Sequence, residues 1–550
     1  MATGSAATIT GTKSYTDRYQ LTEYDDILTV SGADITFLDP AGEIFLDAGN
    51  DTVTVTNSTI TSNSATGGSL AFYLGSGDDT ITLNNSTFNT EFYAGSGNDS
   101  ILVSGSANSQ VTISKKFSLG TGNDVLTLAA ILTGGGNLDF GDGTDTLVFD
   151  GGSLFLTGSI ANLTNLTVTG NSGTLGTDLS LSGNSVAITL GGNLTGDTNG
   201  RKITIDGSSV SLHTVNNVLT DVGYILNNAI FTQSDGGTLE FNGVSCDVIS
   251  AQNSTFDLHD IVIGNATGGI SLAGGTFKLI DSNLANSGHG IHANGTIVDL
   301  AGVGFSNNIY GVDLSDGKLT GTDISFTGHS DRALRAAHAN MILSDIRFTR
   351  NHIFVQASAS ASATATATAQ GGAIYQTGGD MTLTSASFSN NIAYGTAYTT
   401  LTSVNFDHAV NFATAQGGAI YQSDGDMTLT SASFSDNIAY GTAYTTATSY
   451  YTTATSVNFA HAQGGAIWRS GGDLTLTECT FSGNRATVAA TAYATATENA
   501  HAGTAYATAA TTAQGGAIYH TSGNMTLTSA SFSNNIAKRS SRTSMRQERK

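Results

Sequence analysis

An apolar residue returns at a nearly fixed step in the middle of the chain: Ile263, Leu284, Phe305, Phe326 and Phe348 are 21, 21, 21 and 22 residues apart. A second column, Ile270, Ile291, Val312, Leu334 and Val355, keeps the same rhythm at 21, 21, 22 and 21. This constrains the fold more than any other feature, because a unit of that length cannot bury its own inner face and must be covered by its neighbours. Between the anchors apolar residues alternate with polar ones, as at Val298 and Leu300 or Met341 and Leu343, the period of a strand with one buried face. The pattern predicts an all-β, right-handed parallel β-helix (a β-solenoid) in a single elongated domain, with coils stacked about 4.8 Å apart.

Composition agrees. There are 67 Gly against one Pro, and only 11% of residues are charged, which suits short strands joined by tight Gly and Asn turns. The net charge is −23; six of the 20 Lys and Arg lie between Lys538 and Lys550, leaving 14 basic against 42 acidic residues up to position 537. Such a surface repels phosphate backbones and anionic membranes, so nucleic acid is excluded as an expected partner. Cys246 and Cys479 alone make no disulfide framework. No apolar run is long enough to span a bilayer, and Met1 to Gln20 lack the charged start and apolar core of a signal peptide.

The C-terminal third repeats most regularly. Gly-Gly-Ala-Ile opens at Gly371, Gly417, Gly464 and Gly515, and Phe-x-x-Asn follows seventeen residues later at Phe388, Phe434, Phe481 and Phe532. The four phenylalanines are expected to form one buried column with Ile374, Ile420, Ile467 and Ile518. The Asn column of Asn308, Asn351, Asn391, Asn437, Asn484 and Asn535 is expected to stack amide on amide and satisfy turn backbone groups. Paired Gly-Gly-Ala-Ile and Phe-x-x-Asn tetrapeptides resemble the repeats of polymorphic outer-membrane proteins of chlamydial type, which form autotransporter passengers. The resemblance implies a bacterial surface or secreted passenger. It departs at the C-terminus, where a basic segment from Lys538 stands in place of the family's β-barrel. The stretches between repeats, such as Ala393 to Gln416, read equally as surface loops or as added coils, an echo at Phe406 favouring an added strand.

Near the N-terminus Gly75-Ser-Gly-Asp-Asp79, Gly95-Ser-Gly-Asn-Asp99 and Gly120-Thr-Gly-Asn-Asp124 recur, with variants ending at Asp51 and Asp145. These turns are similar to the calcium-binding nonapeptide of repeats-in-toxin proteins, and that resemblance implies Ca2+ at Asp51, Asp79, Asp99, Asp124 and Asp145. Their spacing of 28, 20, 25 and 21 residues puts one motif on each coil rather than in tandem. Stacked carboxylates would repel, which a hard divalent ion relieves. The alternative is a turn whose Asp caps backbone amides.

Two further sets are candidate ligand contacts. Aligning coils on Ile291, Val312 and Leu334 puts His292, Asp313 and Arg335 in one outward column, with His289, Tyr310 and Arg332 two positions before each anchor. Pectin-lyase-like enzymes carry acidic and basic catalytic residues on such faces, so a polysaccharide lyase or hydrolase is one reading and a solvated face another. After each C-terminal Ile anchor comes Tyr375, Tyr421, Trp468 or Tyr519, an aromatic row that either stacks on sugars or a partner, or packs under the Ala/Thr segments as cover.

The chain thus divides into a lead-in at 1–20, coils with Gly-rich Asp turns at 21–160, coils of about 21 residues at 161–355, Gly-Gly-Ala-Ile coils with Ala/Thr-rich insertions at 356–537, and a disordered basic tail at 538–550. The expected role is an adhesin or display surface contacting a host surface, matrix or glycan. The alternatives are a calcium-stabilised scaffold and the carbohydrate-active enzyme.

Overall fold

The computed structural model describes the chain except residues 1–3, 39–41, 64–69, 107, 198–199, 207–208, 215–216, 228, 234–238, 245–246, 360–363, 404–406, 450–452, 499–503 and 550. Cys246 and Phe406 therefore lie outside the described residues. Among the described residues all elements are β-strands, and the strands of successive coils pair in parallel as a right-handed β-helix. Residues 1–268 and 269–550 form two compact units.

From Thr52 onward each coil of the first unit contributes three short strands, as in Thr80–Asn84, Thr87–Asn89 and Glu91–Ser96. Their alternation sends one residue in two inward, so Val53, Ile81, Ile101, Leu126 and Leu147 fall in register. All five are essentially inaccessible to solvent. Phe72, Phe92 and Phe117 stack beside them with centroids 5.6 and 4.3 Å apart. The lead-in is already part of this architecture: Ala6–Tyr15 pairs with Ile27–Leu38, and Arg18–Gln20 with Glu43–Ala48.

In the second unit the aromatic column forms as the spacing requires. From Phe305 through Phe326, Phe348, Phe388, Phe434 and Phe481 to Phe532, successive rings lie 4.6–4.9 Å apart and within 7° of parallel. Phe388, Phe434 and Phe481 are buried, but Phe532 is 48% exposed. Its strand, Ser531–Ser533, is covered by the preceding coil on one side and by no described coil on the other.

The Asn column forms hydrogen-bonded ladders. Asn391 donates through its backbone N and Nδ2 to Asn437 Oδ1, at 3.1 and 2.9 Å, and through Nδ2 to Phe348 O at 3.1 Å. Asn437 and Asn484 repeat this pattern. His329 occupies the rung between Asn308 and Asn351, donating its backbone N to Asn351 Oδ1.

Three expectations are corrected. The inner column of Ile291, Val312 and Leu334 continues to Ile374, not to Val355. Val355 instead belongs to His352–Ala359, the first strand of an added structure that leaves the coil before it closes. The Ala/Thr segments are not loops; they hold added strands, as the echo favoured, but these do not close a second coil. Each supplies an outgoing and a returning strand, such as Ile392–Ser403 and Asp407–Gln416, and these stack into a five-stranded and a four-stranded parallel sheet. The sheets face each other through Ala367, Ala397, Ala413, Ala443 and Ala460, forming a thin wing whose small side chains interdigitate as in a steric zipper. Asn411 tethers the layers from inside, accepting from Thr399 Oγ1 at 2.6 Å and donating to Tyr444 O at 2.6 Å. Lastly, the basic tail is ordered: Ile536–Arg549 is a strand of this wing, paired residue for residue with Arg485–Glu498.

Candidate functional site

The Gly-x-Gly-(Asn/Asp)-Asp turns build two ladders that run in opposite directions. At the fourth position the backbone N of Asp78 donates to Asn50 Oδ1 of the preceding coil, Asn98 to Asp78, and Asn123 to Asn98, at 2.6–2.8 Å on the solvent side. At the fifth position the direction reverses. The backbone N of Asp51 donates to Asp79 Oδ1 of the following coil, Asp79 to Asp99, Asp99 to Asp124, and Asp124 to Asp145, at 2.7–2.8 Å. These five carboxylates are buried, and the Oδ2 of each has no hydrogen-bond partner.

A buried carboxylate oxygen without a donor is costly. Burial is the main force raising these acids: Asp51 is pushed up to about 7, Asp79 to about 8, Asp99 to about 7 and Asp145 to about 6. Asp124 is also raised by burial. Neighbouring carboxylates push Asp51, Asp79, Asp99 and Asp145 further up, while the amide that each accepts opposes the shift. Each orphaned Oδ2 therefore calls for a proton or a cation. Carboxylate oxygen suits Ca2+, but one free oxygen per rung falls well short of its usual 6–8 oxygen ligands without turn carbonyls or water. Among the described residues no group of three or more His, Cys, Asp or Glu side chains is arranged to hold a metal ion.

The glycines of these turns have a reason independent of any ion. Gly75, Gly95, Gly120 and Gly141 all have φ between 90° and 127°. A Cβ at Gly95 would overlap Gly75 O, and one at Gly120 would overlap Gly95 O. Gly95→Ala should therefore lower stability by about 1–3 kcal/mol, the usual range for an overpacked core. Melting with calcium and with chelator checks this. A loss present only with calcium would instead make the glycine a requirement of the ion site.

In the second unit, His292, Asp313 and Arg335 share one outward column, as the alignment predicts. His292 Nδ1 is 3.3 Å from Asp313 Oδ2, and an Arg335 guanidinium nitrogen is 3.5 Å from the same oxygen. His289 is in register with Tyr310, whose hydroxyl donates to Asp331 Oδ2 at 2.7 Å. Arg332 takes a different role. It bonds Asp331 at 3.1 Å, donates from Nε to Gln370 O at 3.1 Å, and lies 4.5 Å from the Tyr375 ring centroid. That anchors the base of the wing to the solenoid.

The aromatic row continues from this contact. Tyr375 stacks on Tyr421 at 5.1 Å and 6°, and Tyr421 on Trp468 at 4.4 Å and 1°, with Tyr519 in register on the next coil. Tyr421 and Trp468 are buried. Trp468 Nε1 donates to Gln463, one rung of a Gln370–Gln416–Gln463–Gln514 side-chain ladder linked by Nε2-to-Oε1 hydrogen bonds of 2.8–2.9 Å. Sugar stacking needs an open ring face, and both faces of Tyr421 are occupied by its neighbours. Tyr421 is therefore closed to a sugar, as packing under the Ala/Thr segments would make it.

Sequence reasoning missed several participants. Ser271 pairs in register with His292, and its Oγ is 3.4 Å from His289 Nε2. Nothing but the coil alignment could have pointed to it. The glutamine ladder had a visible signal, since a Gln precedes each Gly-Gly-Ala-Ile. On the wing's outer face, Ile392, Tyr394, Ile438, Tyr440, Arg485 and Thr487 line an open groove of about 370 Å³. No family model matches this chain, and neither a curated protein nor a solved structure matches it.

Proposed function

We propose that this protein is a bacterial surface or secreted passenger whose solenoid and wing present a lateral binding surface to a host surface, matrix or glycan ligand. The observation that carries this reading is the wing's outer face. Tyr394 and Tyr440 sit in register 5.0 Å apart beside the groove, and Tyr398 and Tyr444 form a second column at 5.9 Å. Stacked rings offer hydroxyl edges rather than faces, so recognition here is by hydrogen bonding along a repeating array. The repeats that resemble polymorphic outer-membrane proteins support the surface location.

The test is binding of the full chain to a glycan array and to matrix proteins, compared with Tyr394→Ser/Tyr440→Ser. A ligand lost in the double variant, with polymer length unchanged, is the expected result. Shortening of pectin, alginate or a similar polymer by the purified protein would overturn it in favour of a lyase or hydrolase.

A calcium-stabilised scaffold is a second reading, favoured by the five orphaned Oδ2 atoms. A melting temperature raised by calcium, and not equally by magnesium, supports it, since a ligand selective for the native state stabilises by mass action.

A further inference from the structure

We propose that the outward face of the second unit holds a serine esterase site, with Ser271 as nucleophile and His289 as its general base. Five chemistry-bearing side chains converge there from four adjacent coils. Ser271 Oγ lies 3.4 Å from His289 Nε2, a nucleophile–base contact at the long end of the range that unliganded sites show. The His289 ring packs edge to face on His292, with centroids 5.9 Å apart. His292 is in turn held by Asp313, whose Oδ2 is 3.3 Å from its Nδ1. Asp313 is fixed from the other side by Arg335 at 3.5 Å. The parallel register sets this order: Ser271, His292, Asp313 and Arg335 are consecutive rungs of one column.

The chemistry is acyl transfer. Ser271 Oγ attacks the carbonyl carbon of an ester while its proton passes to His289 Nε2. The carbon–alkoxy bond breaks, and the leaving alcohol takes that proton. Water, deprotonated by His289, then attacks the acyl-serine, releasing the carboxylic acid and restoring the hydroxyl. His292 and Asp313 are positioning residues. The face is open, with the His292 and Arg335 side chains 51% and 45% exposed. That suits a short acyl group, such as acetyl, on a large alcohol. Removing such a group leaves a polymer's length unchanged, so this activity stands or falls separately from ligand binding by the wing.

The experiment uses the full chain with p-nitrophenyl acetate as substrate and a fluorophosphonate as active-site label. Mass spectrometry should place the label on Ser271. Ser271→Ala and His289→Gln should each lower turnover by about a hundredfold or more, with unchanged melting temperatures. Asp313→Asn should lower kcat and move its pH profile while leaving KM near the wild-type value. Label on another serine, or Ser271→Ala turning over at the wild-type rate, would overturn the proposal.

Discussion

Phe434→Ala is expected to lower the stability of the second unit by about 3–5 kcal/mol, the range for deleting a large buried aromatic. Phe434 is 1% exposed and lies between Phe388 and Phe481, at 4.6 and 4.7 Å and within 3° of both. Its loss opens a cavity that the neighbouring coils cannot close, because their spacing is fixed by backbone pairing on both sides. It also removes two ring contacts at once. Phe532→Ala is the internal control: that ring stacks on Phe481 alone and is half exposed, so its loss should cost about 1–2 kcal/mol. Urea unfolding of both variants measures the difference. Equal losses would mean that the column contributes through strand propensity and not through burial.

The second large effect is on pH. The folded-state pKa values of Asp51, Asp79 and Asp99 stand at about 7, 8 and 7, against an ordinary value of 3.8. A raised acid binds its proton more tightly when folded. Its contribution is complete below about pH 4 and is lost as pH rises through the folded value. The first unit should therefore be more stable, and melt at a higher temperature, at pH 5 than at pH 8.5, because these acids give up their protons across that interval. Every charged group that shifts these three acids is another carboxylate: Asp25, Asp26, Asp47, Asp78, or a fellow rung of the ladder. No lysine, arginine or histidine is among the groups that shift them.

Asp79→Asn/Asp99→Asn should raise the melting temperature at pH 8.5 and flatten the pH profile. The Asn ladder of the second unit shows why. There Nδ2 occupies the place of the orphaned Oδ2 and donates to both a neighbouring amide oxygen and a carbonyl. Scanning calorimetry of the full chain at both pH values is the measurement. A wild-type profile flat between pH 5 and 8.5 would contradict burial of uncompensated carboxylates. A chelator-sensitive melt at pH 8.5, absent in the Asn variant, would assign the orphaned oxygens to a metal ion.

The solenoid was legible because its information is local and repeated. An inward residue every second position and an anchor every 21 residues specify both a strand and the stacking partner of that strand, so Phe305 to Phe348 could be aligned without coordinates. The same arithmetic brought His292, Asp313 and Arg335 together. It misplaced Val355, which carries the right residue at the right step, because a period read along the chain cannot register that the wing departs first.

The wing itself has almost no hydrophobic contrast. Alternating Ala and Thr are both small and nearly neutral, and which of them faces inward is decided only when a second sheet arrives opposite. The basic segment from Lys538 reads as disordered by composition, yet its backbone pairs with Arg485–Glu498, and a preceding edge strand can template a polar sequence as readily as an apolar one. The Asp turns mark the same division. Their residues alone determined that one carboxylate would stand on each coil. Whether that carboxylate faces water or is sealed between coils with one oxygen unpaired is a property of its neighbours, and only the tertiary structure decided it.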